Sequence, residues 1–215
     1  MNILILGLRE NNPNIGGIEN VSWQLAKEWK DMGCQVFSLS FLKSLVPSDC
    51  QSVFEESYYF PNTDYGTVVE ENKEYLLALI SKHDIQIILN QISNLPSVLS
   101  LCDKVKRQVT TPLQWITTVH YDINFQLKAR RNNFFIKELL GTKLKLWIKD
   151  IASFVYFRFF QKYKIAREER ELYLDMVRVS DKTVLLSEAS LIRLAGMLPS
   201  SEHGKLYSIP NPIKL

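Results

Sequence analysis

The 215-residue chain has 46% apolar and 23% charged residues, with only eight glycines and eight prolines, which excludes low-complexity, collagen-like and intrinsically disordered classes. Its formal net charge of +3 is too small to argue for a nucleic-acid partner by itself. Three scattered cysteines, Cys34, Cys50 and Cys102, lack C-x-x-C spacing and read as free thiols in a reducing compartment.

In chain order, Met1 to Gly7 is an apolar run without a basic leader, and reads as a buried first strand. A turn-rich loop, Leu8 to Gly17, precedes a helix predicted over Ile18 to Met32, with Val21, Leu25, Trp29 and Met32 on its buried face. Gly33 falls where a helix end needs a left-handed residue. Strands are expected over Gln35 to Phe41 and Tyr58 to Phe60, a helix over Val69 to Ser81, and a strand over Ile85 to Leu89. A helix over Leu95 to Arg107 and a β-branched strand over Gln114 to Val119 follow, the strand ending at His120-Tyr121-Asp122. Thr183 to Leu186 is a strand ending at Ser187-Glu188, a short helix runs to about Met197, and Lys205 to Ile209 is the last strand. Alternating helices and near-continuous apolar strands predict a doubly wound, parallel, Rossmann-like α/β sheet, in which ligands bind at the carboxyl ends of the strands.

One stretch breaks the alternation. Phe125 to Arg170 holds twelve Lys or Arg against four acidic residues, a local net of +8, and ten of the chain's 24 aromatics. Leu140, Leu144, Trp147, Ile151 and Val155 share one helical face, with Lys143, Lys145 and Lys149 off it, so the stretch reads as a basic amphipathic helical insertion. Phe154, Arg158 and Phe159 continue it with more aromatic surface than a small sheet domain buries. Lys143, Lys145, Trp147, Lys149, Phe154, Arg158 and Phe159 are the candidates for docking on an anionic membrane surface, where each near-surface Lys or Arg contributes about 1 kcal/mol. No RRM or KH signature accompanies them, so no nucleic-acid partner is expected. No stretch approaches the roughly 18 apolar residues of a membrane span, so a cytoplasmic address is expected, peripheral on the inner face of the membrane.

A glycine pair between first strand and first helix suits an anionic group, because the helix N-terminus is electropositive. Neither G-x-G-x-x-G nor G-x-x-x-x-G-K-[ST] is present, which removes the main support for dehydrogenase and nucleoside-triphosphatase readings. The ordered set of motifs resembles something else. Met1 to Gly7 followed by Gly16-Gly17-Ile18-Glu19, Thr118 to Asp122, Leu185 to Glu188, and Ile209-Pro210-Asn211-Pro212-Ile213 are similar to the opening, the strand-end His motif, the next strand-end motif and the interdomain hinge of family 4 glycosyltransferases of the GT-B fold.

The resemblance implies that residues 1–215 are the N-terminal, acceptor-side domain of a retaining glycosyltransferase of hexosyltransferase type, with 125–170 as an insertion and 209–215 as a hinge. It implies a nucleotide-diphospho-sugar donor and a glycan or lipid-linked acceptor, as in bacterial-type synthesis of a surface polysaccharide, with no cofactor and no metal. Gly16 and Gly17 would face the donor diphosphate, and His120 would be catalytic beside the reacting sugar. Glu19, Asp122, Ser187 and Glu188 would be acceptor-side or positioning groups, and Pro210, Asn211 and Pro212 would stiffen the hinge. The family's pair of glutamates separated by seven residues has no counterpart here, and Lys214 stands where an acidic residue often follows the hinge. The 215 residues alone are therefore expected not to catalyse transfer. The alternatives are a non-catalytic membrane-docking or interaction module on the same scaffold, and a stand-alone small-molecule-binding α/β domain that would bind a free nucleotide. His83 and His203 are expected at the surface.

Overall fold

A computed structural model describes residues 1–45, 52–120 and 162–210. Seven parallel strands, β1 (Asn2–Arg9), β2 (Gln35–Leu42), β3 (Ser57–Tyr59), β4 (Ile87–Asn90), β5 (Gln114–Val119), β6 (Lys182–Leu185) and β7 (Leu206–Ser208), form one sheet in the order β3-β2-β1-β4-β5-β6-β7. Helices α1 (Gly17–Asp31), α2 (Glu70–Lys82), α3 (Pro96–Gln108), α4 (Lys162–Val179) and α5 (Glu188–Ala195) connect them, with a 3₁₀ turn at Ser200–Lys205. This is the doubly wound, Rossmann-like α/β architecture that the alternation of elements predicts. The strand order reverses between β1 and β4, where such sheets open a crevice at their carboxyl edge.

Alternation along each strand sorts side chains onto two faces. On one, Leu4 and Leu6 of β1, Phe37, Leu39 and Phe41 of β2, Ile88 of β4 and Trp115 of β5 pack with Leu76, Leu79 and Ile80 of α2 and Val98, Leu101, Cys102 and Val105 of α3. Next to that core, Val119 and Leu185 pack with Tyr173, Met176 and Val177 of α4 and Leu194 of α5. On the other face Ile5, Val36, Leu89 and Ile116 meet α1. There the expected helix face is rotated. Ser22 and Ala26 are the buried residues of α1, their small side chains letting the helix approach the sheet, whereas Met32 is 77% exposed. Val21, Leu25 and Trp29 flank that contact and line a cleft.

Element ends follow the expected chemistry. Gly33 adopts φ +83°, and the N–H of Cys34 returns to the Trp29 carbonyl at 2.9 Å, closing α1 in a Schellman-type turn. The strand expected from Ile85 begins at Ile87, because the Ile85 N–H is taken by Ile80 O at 3.0 Å in the helix exit. Cys34 and Cys102 are free thiols, as expected, and burial raises the Cys102 pKa; Cys50 lies outside the described residues. His203 is exposed, with its ring against the Ala195 carbonyl at 2.9 Å. His83 departs from the expected surface position: it is partly buried, stacked on Phe37 and bonded through Nε2 to the Tyr58 hydroxyl at 2.6 Å.

The basic stretch also divides. Its last nine residues, 162–170, lie on α4, a helix of the core that buries Ile165, Glu169, Tyr173, Met176 and Val177. Lys164 and Arg167 pair at i,i+4 with Glu168 and Glu171, and Arg170 Nε donates to Met197 O at 2.8 Å. These cations are local to the helix surface. Lys143, Lys145, Trp147, Lys149, Phe154, Arg158 and Phe159 lie outside the described residues, as do Asp122, Asn211 and Pro212.

One clamp fixes β6 beside β5. The Asp181 N–H donates to Trp115 O at 2.8 Å, while the Asp181 carboxylate accepts from Trp115 N and from Lys106 Nζ of α3, each at 2.7 Å. The register Ile116↔Lys182 to Val119↔Leu185 follows directly from this anchor.

Candidate functional site

Because all strands run parallel, the residues that leave β1, β4, β5 and β6 emerge at one edge of the sheet. Gly16-Gly17, Gln91, His120 and Ser187-Glu188 are all carried to that edge by chain connectivity. His120 follows the last residue of β5, whose Trp115, Thr117, Thr118 and Val119 are buried. Its Nε2 bonds Gln91 Oε1. Burial pushes the His120 pKa down to about 4, so the ring is neutral at pH 7.

Gln91 comes from the turn after β4. The Gln91 N–H continues the sheet to Leu6 O at 2.9 Å, and the Asn90 side chain stitches the turn, accepting from Ile92 N at 2.9 Å and donating to Ile92 O at 3.2 Å. Gln91 is only 5% exposed, and its Nε2 has no hydrogen-bond partner among the described residues. Sequence reasoning passes over it, since a glutamine in a turn carries no local signal and its partner is 29 positions away.

Two hollows meet at His120. One, of about 290 Å³, runs between α1 and the sheet and is lined by Ile3, Leu25, Trp29, Ile87, Leu89 and Ile116 among others, with Gln91, Thr118 and His120 as its polar side chains. Ile209 and Pro210 also border it, and the Ile209 N–H donates to Leu185 O at 2.9 Å, so the expected hinge departs from the end of β7. The other hollow lies between His120 and the start of α5, bounded by Ser187, Ala189, Ser190 and Arg193.

The remaining expected site residues have local explanations. Ser187 caps α5, its Oγ accepting from Ser190 N at 3.1 Å, and Glu188 sits exposed in the first turn, where the helix dipole favours an acid. Gly16 is the N-cap of α1 in an extended conformation, with no side chain bonding the first amides. A Cβ on Gly16 would stand 2.7 Å from Glu19 Oε2, so the Glu19 carboxylate folds back over the start of its own helix. Gly17 faces open space. The structure thus joins His120 to the Ser187 hollow and to Gln91, while the glycine pair borders neither hollow.

Among the described residues no group of three His, Cys, Asp or Glu converges as a metal site, and no helix is long and apolar enough to cross a membrane.

No protein-family model matches the chain, and no curated protein matches it. Among solved structures, the chain is similar to a glycosyltransferase from Rickettsia africae ESF-5, with 14% identity and a TM-score of 0.46 over 97% of this chain. The match covers 42% of that protein, so the chain spans less than half of its length.

Proposed function

We propose that the chain is the N-terminal, acceptor-side domain of a retaining family 4 glycosyltransferase of the GT-B fold, acting on a nucleotide-diphospho-sugar and a glycan or lipid-linked acceptor. The observation that carries this reading is His120: a neutral, partly buried imidazole at the carboxyl end of β5, on the sheet edge to which the other resembling motifs also lead.

In such a transfer the bond from the anomeric carbon to the donor phosphate breaks, the acceptor oxygen bonds to that carbon on the same face, its proton passes to the departing phosphate oxygen, and negative charge grows on the leaving phosphate as the bond breaks. Stabilising that charge calls for preorganised donors. The uncapped first turn of α1 supplies backbone N–H groups for it. Glu19 covers that end of the helix here, and a diphosphate would displace its flexible carboxylate. His120, held neutral, contributes hydrogen bonds to the sugar or the acceptor hydroxyl without placing a cation beside the reacting carbon. No metal or cofactor is required by this scheme.

The test is nucleotide release from a panel of nucleotide-sugars by the native protein isolated from its source cell. His120→Ala is expected to lower release about 10²- to 10⁴-fold in folded protein. Unchanged release by that variant would overturn the reading. Residues 1–215 alone are expected to give no turnover, since they supply one wall of an interdomain cleft; full turnover by them would remove the need for a second domain.

The excess charge and aromatics of the 125–170 stretch favour a companion role at the cytoplasmic face of an anionic membrane. Once the α4 residues are set aside, 125–161 still carries eight Lys or Arg against two acidic residues. Replacing Lys143, Lys145 and Lys149 by Gln is expected to reduce co-sedimentation with phosphatidylglycerol-containing vesicles, and unchanged sedimentation would exclude this role.

A further inference from the structure

The cleft beside α1 is apolar along most of its wall, so the polar pair at its end stands out. Gln91 is nineteen-twentieths buried, yet among the described residues only one end of its amide is engaged. Its oxygen can only accept, so the proton shared with His120 belongs to Nε2 of the ring. A neutral imidazole that carries its proton on Nε2 has a lone pair on Nδ1. The pair bears no net charge and, among the described residues, leaves the Gln91 Nε2 donor without a partner beside a ring whose Nδ1 carries the lone pair. A hydroxyl group, which donates once and accepts, complements that set; a phosphate, which needs donors only, does not.

We propose that Gln91 is a positioning residue for His120, fixing its Nε2–H tautomer and leaving its own amide N–H as a donor for an acceptor hydroxyl. This deepens the transferase reading and rests on it only for the identity of the hydroxyl. Three features make Gln91 suited to the task. The turn that carries it is pinned by the Asn90 side chain and by the bond to Leu6 O, so its backbone is fixed relative to β1 and β4. Pairing across β4 and β5 sets Asn90 opposite Thr117, so Gln91 leaves β4 alongside the last residues of β5, which lead to His120. An amide anchor, unlike a carboxylate, orients the imidazole without favouring its charged form.

The decisive experiment is long-range ¹H–¹⁵N spectroscopy of the histidine rings in the labelled 215-residue chain at pH 7, with His120 assigned by the loss of its signals in His120→Phe. Nε2 of His120 should appear protonated and Nδ1 unprotonated in the wild type. Gln91→Leu should give tautomer-averaged nitrogens, whereas Gln91→Glu, which still accepts from Nε2, should keep Nε2 protonated and raise the pH at which Nδ1 also takes up a proton. An Nδ1–H or evenly mixed tautomer in the wild type would overturn the proposal without any variant having to fold, and so would an unchanged spectrum in folded Gln91→Leu.

In the native transferase, Gln91→Glu should raise the KM for acceptor about tenfold, the equivalent of one lost hydrogen bond. An unchanged KM would refute the donor role alone. Failure of the transferase assay with a correct tautomer would strike the proposed function and leave the positioning role standing.

Discussion

The two faces of the sheet are built from the same strands and have opposite characters. Towards α2, α3 and α4, the side chains of β1, β2, β4 and β5 close into a core in which Leu6, Leu39, Ile88 and Trp115 are fully buried. Towards α1 the same strands present Ile3, Ile87, Leu89 and Ile116, and a hollow of about 290 Å³ remains between helix and sheet. Parallel strands demand apolar residues on both faces. Apolar character alone therefore does not distinguish a face that fixes the fold from one that lines a site, and the difference lies in what packs opposite.

Neighbouring isoleucines of β4 give the sharpest way to break the comparison. Ile88→Ala, in the closed core, is expected to cost about 2–5 kcal/mol, whereas Ile87→Ala, one residue earlier and facing the hollow, is expected to cost about 1 kcal/mol or less. Urea unfolding of the two variants measures both, and equal losses would mean that the hollow is as tightly packed as the core.

The polar end of the hollow carries the next effect. His120 has its folded pKa depressed to about 4 from an ordinary 6.5, so its contribution to stability is complete above pH 6.5. As the pH falls towards 4 the unfolded chain takes up the proton first, and about 3 kcal/mol is lost in all. Unfolding free energies compared between wild type and His120→Phe from pH 7 to pH 4 should differ in slope over that window, and parallel curves would contradict it.

The smallest effect belongs to the second hollow. Ser187→Ala removes the cap of α5 and is expected to cost about 1 kcal/mol, and if Ser187 serves only as a cap, Ser187→Asp should recover the loss. A large fall in transferase turnover with stability recovered would instead assign the hydroxyl to the substrate.

The architecture was legible because buried parallel strands write themselves as apolar runs and because Gly33 marks a helix end that needs positive φ. What escaped has physical reasons. The buried residues of α4, Ile165, Tyr173, Met176 and Val177, are separated by charged residues that pair along the helix, so the helix merged with the basic stretch before it. The face of α1 departs from its hydrophobic pattern because it packs by Ser22 and Ala26, whose small size favours close approach but adds little to that pattern. At the candidate site, His120 stands in a short strand-end motif, whereas its hydrogen bond to Gln91, made between separate strand ends, leaves no periodic trace in the sequence.

The clamp at Asp181 has a consequence for how this chain tolerates change. It joins β6 to β5 and α3 through three hydrogen bonds at the point where the long connection re-enters the sheet, so the register of β6 is set by the residue just before it. Closing a longer connection costs only about 0.6 kcal/mol per doubling of its length. With both ends anchored, a change in the length of chain between Val119 and α4 leaves the pairing of β5 with β6 in place. Changes of length there leave the strand ends that bear His120 and Gln91 in register.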